Sequence, residues 1–156
     1  MKKKIIVIGV IALLIDIVTK LLIDNSFNLM ETRTIIMDFF SITKVYNNGA
    51  SWNLLSGYRI VLILISIIML IILMFYQTKF ILNTRNMLAF GILYGGITGN
   101  LIDRIFYGHV IDFLDFTILG YDFPVFNFAD ICIVSGIFLL IIAIYKKEDM
   151  DEVSSR

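Results

Sequence analysis

The sequence has few of the residue types that build metal centres and disulfide frameworks. It contains one cysteine, Cys132, and one histidine, His109, among 156 residues. A single cysteine excludes a disulfide framework and a cysteine-rich metal site within one chain, and a histidine metal site would need more ligands. Basic and acidic residues balance at 13 each, so the charge does not indicate a nucleic-acid partner. We expect neither a metal nor another cofactor.

The sequence is instead rich in long apolar runs. Hydrophobic residues make up 59% of the chain, whereas a soluble domain is closer to half apolar. Four apolar segments, near the ~20 residues that a helix needs to cross a bilayer, cover about residues 5–23, 60–76, 87–106 and 129–145. Backbone polar groups must be satisfied inside lipid, so helices are expected. The sequence therefore predicts an all-α membrane protein with four transmembrane helices in one domain, residues 1–147.

The start of the chain has two features of a cleaved signal peptide, a basic stretch (Lys2–Lys4) and an apolar run. No small-x-small cleavage site follows that run, and Asp16 and Lys20 come next instead. We therefore interpret this segment as a retained first helix.

Basic residues predict how the helices are oriented. Lysines and arginines flank the span ends on one side, at Lys2–Lys4, Lys79, Arg85, Lys146 and Lys147. The positive-inside rule then places both termini in the cytoplasm and residues 25–58 and 107–128 outside the cell membrane. The charged tail, residues 148–156, is predicted to be cytoplasmic and disordered.

The first outer segment has the composition of a sheet. Residues 34–46 are rich in β-branched and aromatic types and predict one or two strands, after which Asn47-Asn48-Gly49 indicates a turn. We expect a small extracytoplasmic sheet or loop cradle between helices 1 and 2, lying on the membrane surface.

Two carboxylates are the best candidates for chemistry. Asp112 follows Val110-Ile111 in an outer segment, and Asp130 directly precedes the last apolar run. Carboxylates at the mouth of a hydrophobic segment are costly to desolvate and usually have a function. Two that meet there can share a proton and activate a water, one ionised and the other protonated. The sequence leaves open which of them holds the proton, because such a pair titrates as a unit.

Two features of the spans have both a structural and a functional interpretation. Asp16 and Lys20 lie four residues apart on one helix face, so they either neutralise each other or brace a site. Gly91, Gly95 and Gly99 form a small-xxx-small series, for which we favour the structural interpretation that it lets helices approach closely.

The remaining polar candidates lie near the outer surface. Asn47 is a common turn former that could also contact a substrate. Asn100, Asp103 and Arg104 project from nearby faces of the third span, either as an interfacial ion-pair cluster or as part of a site. All these charged positions, with Asp16 and Lys20, fall toward the outer side.

Other reaction types and protein classes have less support. A serine triad would need His109 with Ser51 or Ser56, and no nucleophile motif accompanies them. Cys132 is expected to be a buried core residue. A transporter or channel is the main alternative, since intramembrane Asp and Arg often line ion paths, but the second span has no ionisable residue. A non-catalytic scaffold would not explain paired aspartates at one depth.

Five separated patches carry a resemblance to the bacterial lipoprotein signal peptidases (signal peptidase II), a family of aspartic membrane peptidases. The patches, in the order and spacing of the family, are DIVTK at 16–20, NNGASW at 47–52, YGGITGNLIDR at 94–104, VIDF at 110–113 and FNFAD at 126–130. Each is weak alone, and together they are specific. Ser51 departs from the pattern, because the family usually has alanine there.

The resemblance implies a mechanism and a substrate. It implies that Asp112 and Asp130 are the catalytic residues and that no metal is needed. It implies supporting or substrate-binding roles for Asp16, Lys20, Asn47, Gly49, Asn100, Asp103, Arg104 and Asn127. The implied substrate is a diacylglyceryl-modified prolipoprotein in contact with membrane lipids, cleaved before its lipidated cysteine near the outer face of the membrane.

Overall fold

The computed structural model describes residues 2–49 and 54–146, so Ser51 and the 148–156 tail lie outside the described residues. The elements follow in the order α1 (Lys2–Ser26), β1 (Thr32–Ile36), β2 (Phe40–Asn47), α2 (Arg59–Gln77), α3 (Thr84–Phe106), β3 (Val110–Ile118), β4 (Tyr121–Asp122) and α4 (Phe128–Tyr145). Each predicted apolar segment forms a helix, and the helices begin or end a few residues beyond the apolar runs.

The helix α3 is central and packs against α1, α2 and α4. A Cβ added at Gly95 would lie 2.6 Å from the Cβ of Ala12 on α1, and one added at Gly96 would lie 2.5 Å from the carbonyl oxygen of Ala129 on α4. These distances leave no room for a side chain. The predicted small-residue series, which includes Gly95, therefore lets α3 approach α1, and Gly96, which lies outside that series, lets it approach α4.

Three helices of the described residues, α1, α2 and α4, are long and apolar enough to cross a membrane, judged by length and composition. The α3 helix has 23 residues but is less apolar than the other three. Its central position explains this composition, because a helix enclosed by its neighbours presents little surface to lipid. The fold is thus that of a membrane protein, and the fourth span stays a prediction.

The four strands form one antiparallel sheet in the order β1-β2-β3-β4. The prediction of strands within residues 34–46 is confirmed as β1 and β2. The expected position between helices 1 and 2 is confirmed for β1 and β2 but is incomplete, because β3 and β4 lie between α3 and α4. The β3 segment is rich in β-branched and aromatic residues, which favour strands, and it pairs with β2 from a distant part of the chain. The sheet packs on α1 through Ile23, Ile111 and Phe113.

One irregularity in the sheet affects every residue that follows it. Ile42 pairs with Leu114 and Val45 pairs with Asp112, so three steps along β2 match two steps along β3. The extra residue is a β-bulge, which bends its strand and re-aims side chains. Beyond the bulge, β2 ends at Asn47, whose side chain contacts Asp112 on β3.

Candidate active site

Asp112 on β3 and Asp130 on the first turn of α4 are linked through Asn127. The Nδ2 atom of Asn127 donates to Asp112 Oδ1 at 2.6 Å, while its backbone N donates to Asp130 Oδ2 at 3.2 Å. In return, the Asn127 side-chain oxygen accepts from the backbone N of Asp130 at 3.0 Å. This reciprocal capping box begins α4 and fixes both residues. The structure thus brings the two predicted carboxylates together.

A second asparagine contacts each carboxylate. Asn47 Nδ2 donates to Asp112 Oδ2 at 2.8 Å, and Asn100 Nδ2 donates to Asp130 Oδ1 at 2.8 Å. Each carboxylate therefore accepts one hydrogen bond on each of its oxygens. Asn47 also accepts from the backbone N of Gly49 at 2.8 Å, so it forms the predicted turn and contacts the carboxylate as well.

Lys20 on α1 lies close to the carboxylate pair and links α1 and α3 beside it. Its Nζ lies 2.7 Å from Asp16 Oδ2, 3.0 Å from Asp103 Oδ2 and 2.9 Å from Asn100 Oδ1. A lysine ammonium has three donors, and here each has an acceptor. Since Asn100 Oδ1 is occupied by Lys20, the amide nitrogen of Asn100 points to Asp130. The ion pair of Asp16 and Lys20 is present, and it also supports the carboxylate pair.

Asp16 extends this buried network to α4. Its Oδ1 accepts from the backbone N of Ala129 at 3.0 Å, one of the N-terminal amides of α4 that lack a partner in their own helix. Gly99 on α3 makes room for this carboxylate, because a Cβ added there would overlap Asp16 Oδ2. Gly99 therefore has a steric role at the site.

Arg104 connects α3 to the loop that follows β2. Its Nη2 donates to the carbonyl oxygen of Gly49 at 2.9 Å, and its Nη1 donates to that of Asn100 at 3.3 Å. Its Nε is buried without a hydrogen-bond partner among the described residues. The loop residues that follow, 50–53, lie outside the described residues.

The surroundings of Asp112 place its titration near neutral pH. Burial raises the pKa of this carboxyl to about 7, and the neighbouring charge of Asp130 acts in the same direction. The hydrogen bonds from Asn47 and Asn127 oppose the shift, because they favour the ionised form. A carboxyl with a pKa near the working pH can both take and give a proton, as acid–base catalysis requires.

The carboxylates lie at the polar end of a large groove with a volume of about 1370 Å³. Asn47, Asn100 and Arg104 also line that end. Most of the rest is lined by apolar side chains, chiefly of α2 and α4, and many of these are exposed on the molecular surface, namely Ile65, Met69, Ile72, Val134, Ile137, Ile141 and Ile144. The groove therefore joins a charged site to an apolar surface that faces outward.

His109 and Cys132, the other two residues considered for chemistry, have contacts of a structural kind. The His109 ring stacks on Tyr46 with 3.8 Å between ring centroids, and no group of three metal-ligating side chains occurs within residues 2–49 and 54–146. Cys132 is buried, as expected for a core cysteine.

Two features, one of the groove and one of the neighbouring sheet, were not recognised from the sequence. The first is the contribution of α2 to the groove, which apolar composition alone did not distinguish from contact with lipid. The second is Lys44, a buried lysine on β2. A lone lysine within an apolar strand-forming segment was a signal that could have identified it.

Helices that suit a membrane and a buried pair of carboxylates beside a groove define this chain as a small membrane protein with a candidate site for chemistry. The family model for signal peptidase (SPase) II matches residues 8–146. The chain belongs to the signal peptidase II family.

Named relatives and solved structures agree with this assignment. The chain is 39% identical to a lipoprotein signal peptidase of Staphylococcus haemolyticus (strain JCSC1435) over 94% of this chain and 93% of that protein. It is 41% identical to one from Staphylococcus aureus (strain JH9) over 90% and 87% of the two chains. A bacterial membrane enzyme structure determined by the in meso method at 2.3 Å resolution superposes with a TM-score of 0.82, at 40% identity over 91% of this chain and 87% of that one.

Proposed function

We propose that this protein removes the signal peptide from lipid-modified prolipoproteins and that Asp112 and Asp130 are its catalytic residues. The observation that carries the proposal is that Asn127 holds both carboxylates at the polar end of an apolar groove. Family membership and the names of the relatives support the substrate class. The enzyme would thus be a peptide hydrolase of the aspartic type.

The carboxylate pair supplies the groups that peptide hydrolysis needs. The ionised member takes a proton from water, whose oxygen bonds to the scissile carbonyl carbon, and the protonated member donates to the carbonyl oxygen. When the C–N bond breaks, a proton passes from the pair to the leaving nitrogen. The amides of Asn47 and Asn100 keep the carboxylates oriented through these steps.

The groove suits a substrate that is already in the membrane. Its apolar walls from α2 and α4 match the apolar signal peptide and the acyl chains, while its polar end receives the peptide bond before the lipidated cysteine. Arg104 holds the Gly49 loop at this end through its hydrogen bond to the Gly49 carbonyl oxygen. The carboxylate pair is supported by a buried ion-pair network of Asp16, Lys20 and Asp103.

We further propose that residues 1–147 form one domain with four spans, with both termini in the cytoplasm and the site near the outer face of the cell membrane. The central position of α3 supports a fourth span despite its lower apolarity. The transporter or channel alternative has no observation in its favour. The charged residues that line the groove, Arg104, Asp112 and Asp130, lie together at one end of it.

The test is cleavage of a lipidated precursor peptide by the purified protein in detergent. Asp112→Asn and Asp130→Asn should each lower kcat by about a thousandfold or more, because each removes one acid–base group. Asp122→Asn is the matched control, since Asp122 is an exposed residue on β4 and should leave turnover unchanged. Near-normal cleavage by either dyad variant in the correctly folded protein would disprove the assignment, and a non-lipidated peptide tests the substrate class.

A further inference from the structure

Lys44 joins the strand β2 to the end of α1. Its Nζ lies 2.7 Å from Asp24 Oδ1 and donates to the backbone oxygens of Asp24 at 2.9 Å and Phe27 at 3.0 Å. Lys44 is only 5% exposed. The last carbonyls of a helix lack partners within the helix, and a cation is favourable beside them. All three donors of this lysine therefore stabilise the end of α1 from a strand.

Tyr46 makes a second connection on the same side of the sheet. Its hydroxyl donates to Asp24 Oδ1 at 3.1 Å, and its ring stacks on His109, which directly precedes β3. Tyr46 itself pairs with Ile111 on β3. The end of β2 is thus held between α1 and the start of β3.

The bulge decides which face of the sheet carries Asn47. Paired residues share a face and side chains alternate along a strand, so Ile42, opposite Leu114, lies on the face of Asp112. In a regular strand that face would continue to residues 44 and 46, and Asn47 would point away from Asp112. The extra residue shifts the alternation, so that Val45 and Asn47 share the face of Asp112.

We propose that Lys44 is a positioning residue for the reaction, which acts by holding β2 in the bulged register that presents Asn47 to Asp112. The bulge lies between Ile42 and Val45 and therefore includes Lys44, whose side chain is directed to α1. This inference rests on the proposed function in so far as it concerns turnover. The statement about register stands on the contacts of the sheet alone.

The kinetic test is a double-mutant cycle with the lipidated precursor. Lys44→Met and Asn47→Ala should each lower kcat by about 10- to 100-fold with KM changed less than about twofold, because both remove the orientation of Asp112. The double variant should be no worse than Asn47→Ala alone. Lys44→Arg should recover part of the activity, because its guanidinium can donate to the same carbonyls. Arg33→Gln is the matched control, since exposed Arg33 donates to the carbonyl of Ser26 at the same helix end.

The register is tested without turnover by disulfide formation in a Cys132→Ala protein. Val45→Cys with Asp112→Cys should cross-link, because these residues are opposite each other in the bulged register. Adding Lys44→Met should lower this cross-linking severalfold, while Ile42→Cys with Leu114→Cys, before the bulge, should cross-link as before.

The outcomes separate the two proposals. The positioning role would be overturned if the losses in kcat of Lys44→Met and Asn47→Ala multiplied in the double variant. It would also be overturned if Lys44→Met changed only KM. Unchanged cross-linking at Val45 would overturn it independently, even for a protein that does not cleave the precursor. Absence of cleavage by the unsubstituted protein would contradict the proposed function. The cross-linking experiment would still test the register, because it does not depend on turnover.

Discussion

Asn127 contacts the two carboxylates with different atoms, its side-chain amide toward Asp112 and its backbone N toward Asp130. The amide nitrogen also donates to Asn100 Oδ1 at 3.1 Å. At the residue scale, the orientation of one amide is therefore coupled to that of the next. Lys20 fixes the oxygen end of Asn100, while backbone N–H groups fix the oxygen ends of Asn47 and Asn127.

Titration of the pair predicts how activity depends on pH. The pKa of Asp112 is raised to about 7, so this carboxyl is neutral below that pH and ionised above it. The pair needs one proton, and we expect kcat/KM to fall about tenfold per unit as the pH rises above 7. A profile measured from pH 5 to 9 with a substrate that lacks titrating groups tests this. A rate that is constant from pH 6 to 9 would contradict it.

Substitutions of Arg104 separate the effect of its charge on activity from the effect of its side-chain geometry. Its guanidinium contacts the carbonyls of Gly49 and Asn100, and its fork can engage two acceptors at once. We expect Arg104→Ala to lower kcat/KM by about 100-fold and Arg104→Lys to recover part of this loss. The pH profile of the remaining activity should keep its shape, because Arg104 does not transfer protons. Full activity of Arg104→Ala would show that its contacts with these two carbonyls are not needed for turnover.

At the scale of elements, the contact between α1 and α3 controls the site through Gly99. A Cβ at this position would overlap the carboxylate of Asp16, so Gly99→Ala must displace Asp16 and with it Lys20. We expect a loss of about 1–3 kcal/mol in stability, with a larger fall in kcat than Gly9→Ala produces. The added Cβ at Gly9 would lie 3.1 Å from the carbonyl oxygen of Gly91, a milder contact. Thermal unfolding and turnover of both variants provide the comparison, and equal turnover would refute the steric link.

The elements also show how far the sequence could predict this fold. Apolar length was sufficient to locate the helices, since a membrane requires long apolar segments. Half of the sheet was predicted, because β1 and β2 are neighbours in the sequence. The pairing of β3 with β2 was not predicted, because α2 and α3 separate these two strands in the chain. The bulge was not predictable, since it follows from register and not from composition. The motifs named the residues around the carboxylates, but which end of each amide faces which oxygen needed the structure.

At the scale of the whole molecule, the orientation in the membrane can be tested directly. Reporter fusions after Lys79 and at the C-terminus should report the cytoplasm, and fusions near Arg33 and Gly120 should report the outside. A fusion at Gly120 decides whether α3 crosses the membrane, because it lies between α3 and α4. If the reporter at Gly120 showed a cytoplasmic location, α3 would not cross the membrane and the prediction of four spans would be wrong.

The outward-facing walls of the groove have a consequence for the kinetics of the whole enzyme. The exposed apolar side chains of α2 and α4 leave the groove accessible from the side of the helices, so the proposed lipid-modified substrate would arrive by diffusion within the plane of the bilayer. The relevant concentration is then the number of substrate molecules per lipid. Adding empty lipid at constant enzyme and substrate would slow the reaction, although nothing in the aqueous phase had changed.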